Sequence, residues 1–258
     1  MPKFPLIANA VRRPLRVLAA ALVLGVLCVG PAQAAPQLAE RAQIAERIVA
    51  QMERKSAYFR ILFEDHPHER ANFIRELEQA RRFGGRESML VASIAFGSRM
   101  GWNYFPYYYA RTSDAAVLGF ARMTRDILSV LRAGSYEDCY DYMAGSSNDR
   151  ARIFRKLTRT ERRRIGVAMT QIVVESRRKG GKGKTRGKPD PSAYRRPVND
   201  LLATLTKRLG RENLVHWKPG LKGKDQEKAC DYAVAFFEEV LKQPKRDGVL
   251  VLRAVFGG

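Results

Sequence analysis

Between Gln37 and Glu64 the apolar residues Ile44, Ile48, Met52, Phe59, Leu62 and Phe63 recur at spacings that keep one face of a helix apolar. Asp65-His66-Pro67 ends that stretch and opens the next, because proline suits the first turn of a helix. Phe73, Ile74, Leu77 and Ala80 mark the inner side of this second helix, and Gly84-Gly85 ends it. From Glu87 to Met100 the chain is apolar on most sides, through Met89, Leu90, Val91, Ile94, Ala95 and Phe96, as in a helix at the centre of a bundle. Ser113 then caps a helix whose face is Val117, Phe120, Thr124, Ile127, Leu128 and Leu131, with Gly134 at its close. Ser135 and Asp138 form a capping box for a short helix through Tyr142.

Residues 145–148 read as a loop, followed by a short basic helix carrying Ile153, Phe154 and Leu157. Thr160 caps another helix, with Ile165, Ala168, Met169, Ile172 and Val173 on one face. Arg162, Arg163 and Arg164 crowd its first turn, where the helix dipole disfavours positive charge, so an anion or an acidic neighbour is expected there. Pro197 opens a helix with Leu201, Leu202, Leu205 and Leu209 inward, ended by Gly210. Asp225 caps the next, with Ala229, Ala233, Phe236, Phe237, Val240 and Leu241 apolar and Pro244 at its end. Val249 to Phe256 is a β-prone run that could pair with Leu214 to Trp217. The pattern predicts an all-α fold, a multi-helix bundle with at most a short β-hairpin near the C-terminus. Residues 35–176 would form the bundle, 177–196 a mobile basic loop, and 197–258 C-terminal helices packed on the bundle.

The first 34 residues change where this fold is expected to work. Lys3, Arg12, Arg13 and Arg16 precede an apolar run from Val17 to Val29, and Gly30-Pro31 leads to Ala32-Gln33-Ala34. Charge, apolar run and small residues in that order make a secretory signal peptide with an A-x-A cleavage site. The run is about 13 residues long, short of the roughly 20 that a spanning helix needs. Export to a bacterial periplasm or beyond is therefore expected, with no transmembrane span after cleavage.

Cleavage after Ala34 would also remove Cys28 and leave Cys139 and Cys230. Two cysteines in an exported chain predict a disulfide, which would close a long loop. The alternative is two separate buried thiols, since free cysteine packs like a small hydrophobe.

The full chain carries 47 Lys and Arg against 26 Asp and Glu, a net charge of +21. Without residues 1–34 it would carry +17. Inside a cell that surplus would point to nucleic acid. Outside it, the abundant polyanions are lipid head groups, lipopolysaccharide and wall polymers, and attraction to them should weaken with salt. Arg177, Arg178, Lys179, Lys182, Lys184, Arg186 and Lys188 concentrate the charge in one glycine-rich stretch with nothing to bury.

Chemistry-bearing motifs are sparse. There is no G-x-S-x-G, H-E-x-x-H or P-loop, and nothing calls for a cofactor. His66 and His68 lie in an acidic stretch, but a metal site needs three or four convergent ligands, and no metal is assigned. The tract around Trp102, Tyr104, Phe105, Tyr107, Tyr108 and Tyr109 reads either as a binding surface or as a core plug between helices, with Pro106 expected to interrupt or kink it. The leading expectation is a non-enzymatic exported protein that binds an anionic envelope component or an acidic protein partner. The basic stretch would supply attraction and the aromatic tract contact area. A glycan hydrolase with a Glu in an aromatic-lined cleft, Glu87 or Glu175 being nominal candidates, and a nucleic-acid-binding protein are the alternatives.

Overall fold

The computed structural model describes residues 34–178, 189–214 and 218–257, with side chains from Gln43 onward. The signal segment before Ala34, and Lys179, Lys182, Lys184, Arg186 and Lys188 of the basic stretch, lie outside the described residues. The described residues fold into ten α-helices: α1 (Ala34–Lys55), α2 (Ala57–Asp65), α3 (Pro67–Arg111), α4 (Asp114–Gly134), α5 (Tyr136–Ala144), α6 (Ser147–Lys156), α7 (Arg159–Arg178), α8 (Pro191–Leu209), α9 (Lys224–Lys242) and α10 (Lys245–Phe256). The all-α bundle that the apolar periodicity predicts is therefore the fold. Among the described residues no helix is long and apolar enough to cross a membrane.

α3 is a hairpin. Its backbone leaves helical geometry at Gly85, whose φ of 64° lies in the left-handed region that favours glycine. Its two arms, residues 67–84 and 86–111, fold back antiparallel. Phe73 stacks on Phe96 with ring centroids 4.1 Å apart, Glu76 accepts from Arg99 at 2.5 Å, and Glu69 accepts from the Tyr104 hydroxyl at 2.9 Å. The second arm packs through the body, where α3 meets α1, α2, α6, α7 and α10, while α4 meets α5, α7, α9 and α10. Both arms carry the core near the base, through Phe73, Leu77, Phe96 and Met100.

Several helix ends differ from the pattern-based reading, each for a local reason. The stretch from Gln37 to Glu64 breaks at Ser56, which takes an extended conformation between α1 and α2. Pro106 does not interrupt α3, because Phe105, Tyr108 and Tyr109 on its inner face are buried. That burial offsets the roughly 3 kcal/mol penalty of an internal proline. α7 starts one residue after Thr158 rather than at Thr160. The Thr158 hydroxyl accepts from the Glu161 N–H while Glu161 accepts from the Thr158 N–H. α8 starts at Pro191 under an Asp190 cap, six residues before Pro197, which lies inside it. The stretch read as a loop is short, because Ser146 and Asp149 form a further capping box and α6 begins at Ser147.

The largest correction concerns the C-terminus. The run from Val249 to Phe256 is helical, not a strand of a hairpin. Val249, Leu252, Arg253 and Phe256 recur at helical spacing, and α10 presses this face against α3, α4, α8 and α9. Gly248 permits the approach: a Cβ there would stand 2.7 Å from the Val240 carbonyl oxygen of α9. Cys139 of α5 and Cys230 of α9 are joined by a disulfide, with Cα atoms 5.7 Å apart and both side chains buried.

Candidate functional site

A cavity of about 940 Å³ opens between the second arm of α3, α4 and α7, and residues of α1, α2, α5, α6, α9 and α10 complete its wall. Small residues make the room. Ser93, Gly97 and Gly101 stand four apart on the α3 arm and present almost no side chain, with Ser98 beside them. Gly166 does the same on α7, where a Cβ would meet nothing within 4 Å. Large apolar residues close the walls, among them Phe59, Phe105, Phe120, Met123, Met169 and Val174. Along α3 the cavity runs from Ser93 to Phe105, roughly 18 Å at 1.5 Å per residue.

The polar groups in this wall are few and placed apart. Arg150 of α6 lies over the Trp102 ring, 4.3 Å from its centroid. Its Nε donates to the Tyr142 carbonyl at 3.1 Å and its Nη2 to the Met143 carbonyl at 3.2 Å, both in the last turn of α5. No carboxylate pairs with it among the described residues. Burial works against its charge and pulls its pKa below the ordinary guanidinium value, yet arginine stays ionised in proteins. The neighbouring Tyr142 phenol is pushed up to about 12 by burial, with Arg150 acting in the opposite direction.

The arginine triplet at the start of α7 sorts itself around the same cavity. Arg162 donates to the Arg155 and Leu157 carbonyls at the end of α6. Arg164 reaches Asp126 at 3.8 Å. Arg163 lines the cavity, is exposed and pairs with no acid among the described residues. Arg150 and Arg163 thus bring two cations to an apolar wall. Farther along α7 the rim holds Glu175 paired with Arg178 at 2.8 Å. Thr124 of α4 is buried and lines the cavity, and its hydroxyl has no hydrogen-bond partner among the described residues.

The aromatic tract divides by helical angle between the two readings of it. Trp102 and Phe105 line the cavity. Tyr108 and Tyr109 are core residues, and the Tyr108 hydroxyl donates to Asp65 at 2.9 Å. Tyr104 stacks on His66 with centroids 3.7 Å apart. Tyr107 is exposed under the Arg111 guanidinium, 3.8 Å from its ring centroid. Of the basic stretch, Arg178 borders the cavity, whereas Arg177 is tied on the surface to the end of α2 by Glu64 at 2.6 Å and by Asp65. Among the described residues no three His, Cys, Asp and Glu side chains converge as a metal site. Glu175 is the one carboxylate of the cavity wall among the described residues, and Glu87 is exposed elsewhere.

Sequence reasoning marked Arg163, within the triplet where an anion or acidic neighbour was expected, and placed Thr124 on a buried helix face, but it missed Arg150 and the Ser93-Gly97-Gly101 stripe. The stripe was the available signal, three small residues at helical spacing in an otherwise apolar helix. No family model, no curated protein and no solved structure matches this chain.

Proposed function

We propose that the protein is a non-enzymatic envelope protein that takes up one anionic amphiphile, an acyl chain bearing a carboxylate or phosphate head. The tail would fill the cavity between α3, α4 and α7, and the head would meet Arg150 and Arg163. The observation that carries this reading is Arg150, a partly buried guanidinium in an apolar wall that pairs with no carboxylate among the described residues, the neighbouring Asp149 acting on it only through its charge. Charges removed from water are normally paired, and an anionic ligand supplies the missing partner. A cavity of about 940 Å³ with a few separated polar groups has the size and lining of a small-molecule site. Hydrolysis of a glycan between two carboxylates fits this wall less well, because among the described residues Glu175 is its one carboxylate and is tied to Arg178.

Titration with a fluorescent long-chain fatty acid, and with the alcohol of equal length, tests the proposal. Saturable binding at one ligand per chain is expected, with the acid favoured over the alcohol. Arg150→Gln should weaken binding of the acid by about tenfold, the worth of a charged hydrogen bond. Arg150 also caps α5, so Arg163→Gln provides a variant that leaves the fold untouched, and it should weaken the acid and not the alcohol. Absence of saturable binding, or equal affinity for acid and alcohol in the wild-type protein, would overturn the reading.

A further inference from the structure

The tip of the α3 hairpin stands clear of the body. Leu77 on the first arm and Phe96 on the second are the last buried residues before the turn, and no residue between them is buried. Seven residues separate Leu77 from Gly84, so the tip projects by roughly 10 Å. Its sequence is Arg81-Arg82-Phe83-Gly84-Gly85-Arg86. Phe83 is 89 % exposed and Leu90, on the second arm, 56 %. A phenylalanine at the apex of a protrusion does nothing for the core. Arg82 and Arg86 flank it, both exposed and neither in an ion pair among the described residues, with Glu87 the single acid from Arg81 to Leu90.

We infer that this tip docks on an anionic lipid bilayer. Phe83 would enter the head-group region while Arg82 and Arg86 pair with lipid phosphates. An aromatic ring between cations suits that interface, where one part of the contact is apolar and the rest is negatively charged. The projecting shape brings the tip to a flat surface before the rest of the molecule. The tip is also continuous with the cavity: Arg86, Leu90 and Ile94 stand four apart on one stripe of the second arm, and Ile94 lines the cavity. Docking there would place the cavity wall one helical turn past Leu90. The docking surface stands on its own geometry, and the lipid-uptake reading only gives it a purpose.

Co-sedimentation of the full chain with phosphatidylcholine vesicles, with and without phosphatidylglycerol, tests the inference. Binding should require the anionic lipid and fall as salt rises. Phe83→Ser should weaken it about tenfold, as expected for withdrawing one aromatic ring from the interface, and Arg82→Gln with Arg86→Gln should do likewise. None of these side chains is buried, so the melting temperature should stay unchanged, and uptake of the fluorescent fatty acid in solution should persist. Sedimentation of Phe83→Ser equal to the wild type would assign any vesicle binding to other cations and overturn the inference. So would wild-type protein that ignores anionic vesicles, or that loses vesicle binding only with the fatty-acid site.

Discussion

Arg150 sits over the indole of Trp102 at 4.3 Å, and both residues line the apolar cavity. The ring face stabilises a cation that has left bulk water, by about 0.5–2 kcal/mol in such pairs. It also makes Trp102 a reporter. With Trp217 replaced by Phe, the remaining indole should change emission when an anionic amphiphile binds. The same change should be far smaller in Arg150→Gln, because the cation over the ring is then absent. Steady-state fluorescence during the fatty-acid titration measures both.

The disulfide joining Cys139 and Cys230 closes a loop with a sequence separation of 91. A cross-link over that span removes entropy from the unfolded chain worth about 4–5 kcal/mol in the chain-entropy treatment. Reduction, or replacement of both cysteines by Ala, should lower the unfolding free energy by roughly 2–5 kcal/mol. Urea unfolding with and without reductant measures it, and a stability loss near zero would mean that α5 and α9 are held by packing alone.

Arg253 of α10 is buried at the junction of α3 and α4. It donates to the Tyr109 and Ala110 carbonyls at 3.1 Å each, to the Thr112 carbonyl at 2.7 Å and to Asp114 at 3.0 Å. A cation at the carboxyl end of α3 complements the helix dipole and satisfies carbonyls that the helix leaves open. Arg253→Met keeps much of the volume and leaves the buried Tyr109 and Thr112 carbonyls without their donor. A loss of about 3–5 kcal/mol is expected in chemical denaturation.

This arginine also shows where legibility in the sequence ends. The capping serines were readable because Ser113 and Ser135 accept from N–H groups three residues on, a purely local geometry. The period of α1 to α4 was readable because one apolar face per helix repeats within a few turns. Pairings between distant segments leave no such trace. Nothing near residue 253 announces that it closes a helix ending at residue 111, and nothing near Arg150 announces Trp102. The α10 run looked β-prone through Val249, Val251 and Val255, yet the buried residues are Gly248, Val249, Val251, Leu252 and Arg253, which share one side of a helix and do not alternate as in a strand. The cavity followed the same rule: small residues on one helix become a void only once the wall opposite is known.

Acid should expose a second buried network. Burial raises the Asp138 pKa, but hydrogen bonds and charge from Lys156 and Arg152 outweigh it and hold the carboxyl below its ordinary value. A carboxylate held low in the folded state lends stability above its unfolded pKa, and loses it as pH falls through the folded value. Asp141 acts in the other direction, raised by burial and by Asp149 against Arg152. Its stabilising contribution is present at low pH and fades as pH rises through its folded value. The difference between wild type and Asp138→Asn isolates the first effect: it should be large near pH 6 and shrink toward about pH 3. Thermal melts across that range measure it, and a difference that grows on acidification would show that the pair with Lys156 and Arg152 does not hold Asp138 down.

Gly166 separates a working cavity from a packing fault. It borders the cavity in the middle of α7, and a Cβ there meets nothing within 4 Å. A glycine inside a helix costs about 0.5–1 kcal/mol relative to alanine, so Gly166→Ala should raise stability by roughly that amount. A larger side chain gains the same backbone term and also takes space from a ligand. Gly166→Leu should therefore melt at or above the wild-type temperature while its affinity for the fluorescent fatty acid falls by about tenfold or more, the counterpart of displacing part of an acyl chain. Stability and binding would then move in opposite directions, as they do where function rather than folding keeps a glycine in place. A leucine variant that gains stability and binds the probe as tightly as the wild type would show that the space beside α7 holds no ligand.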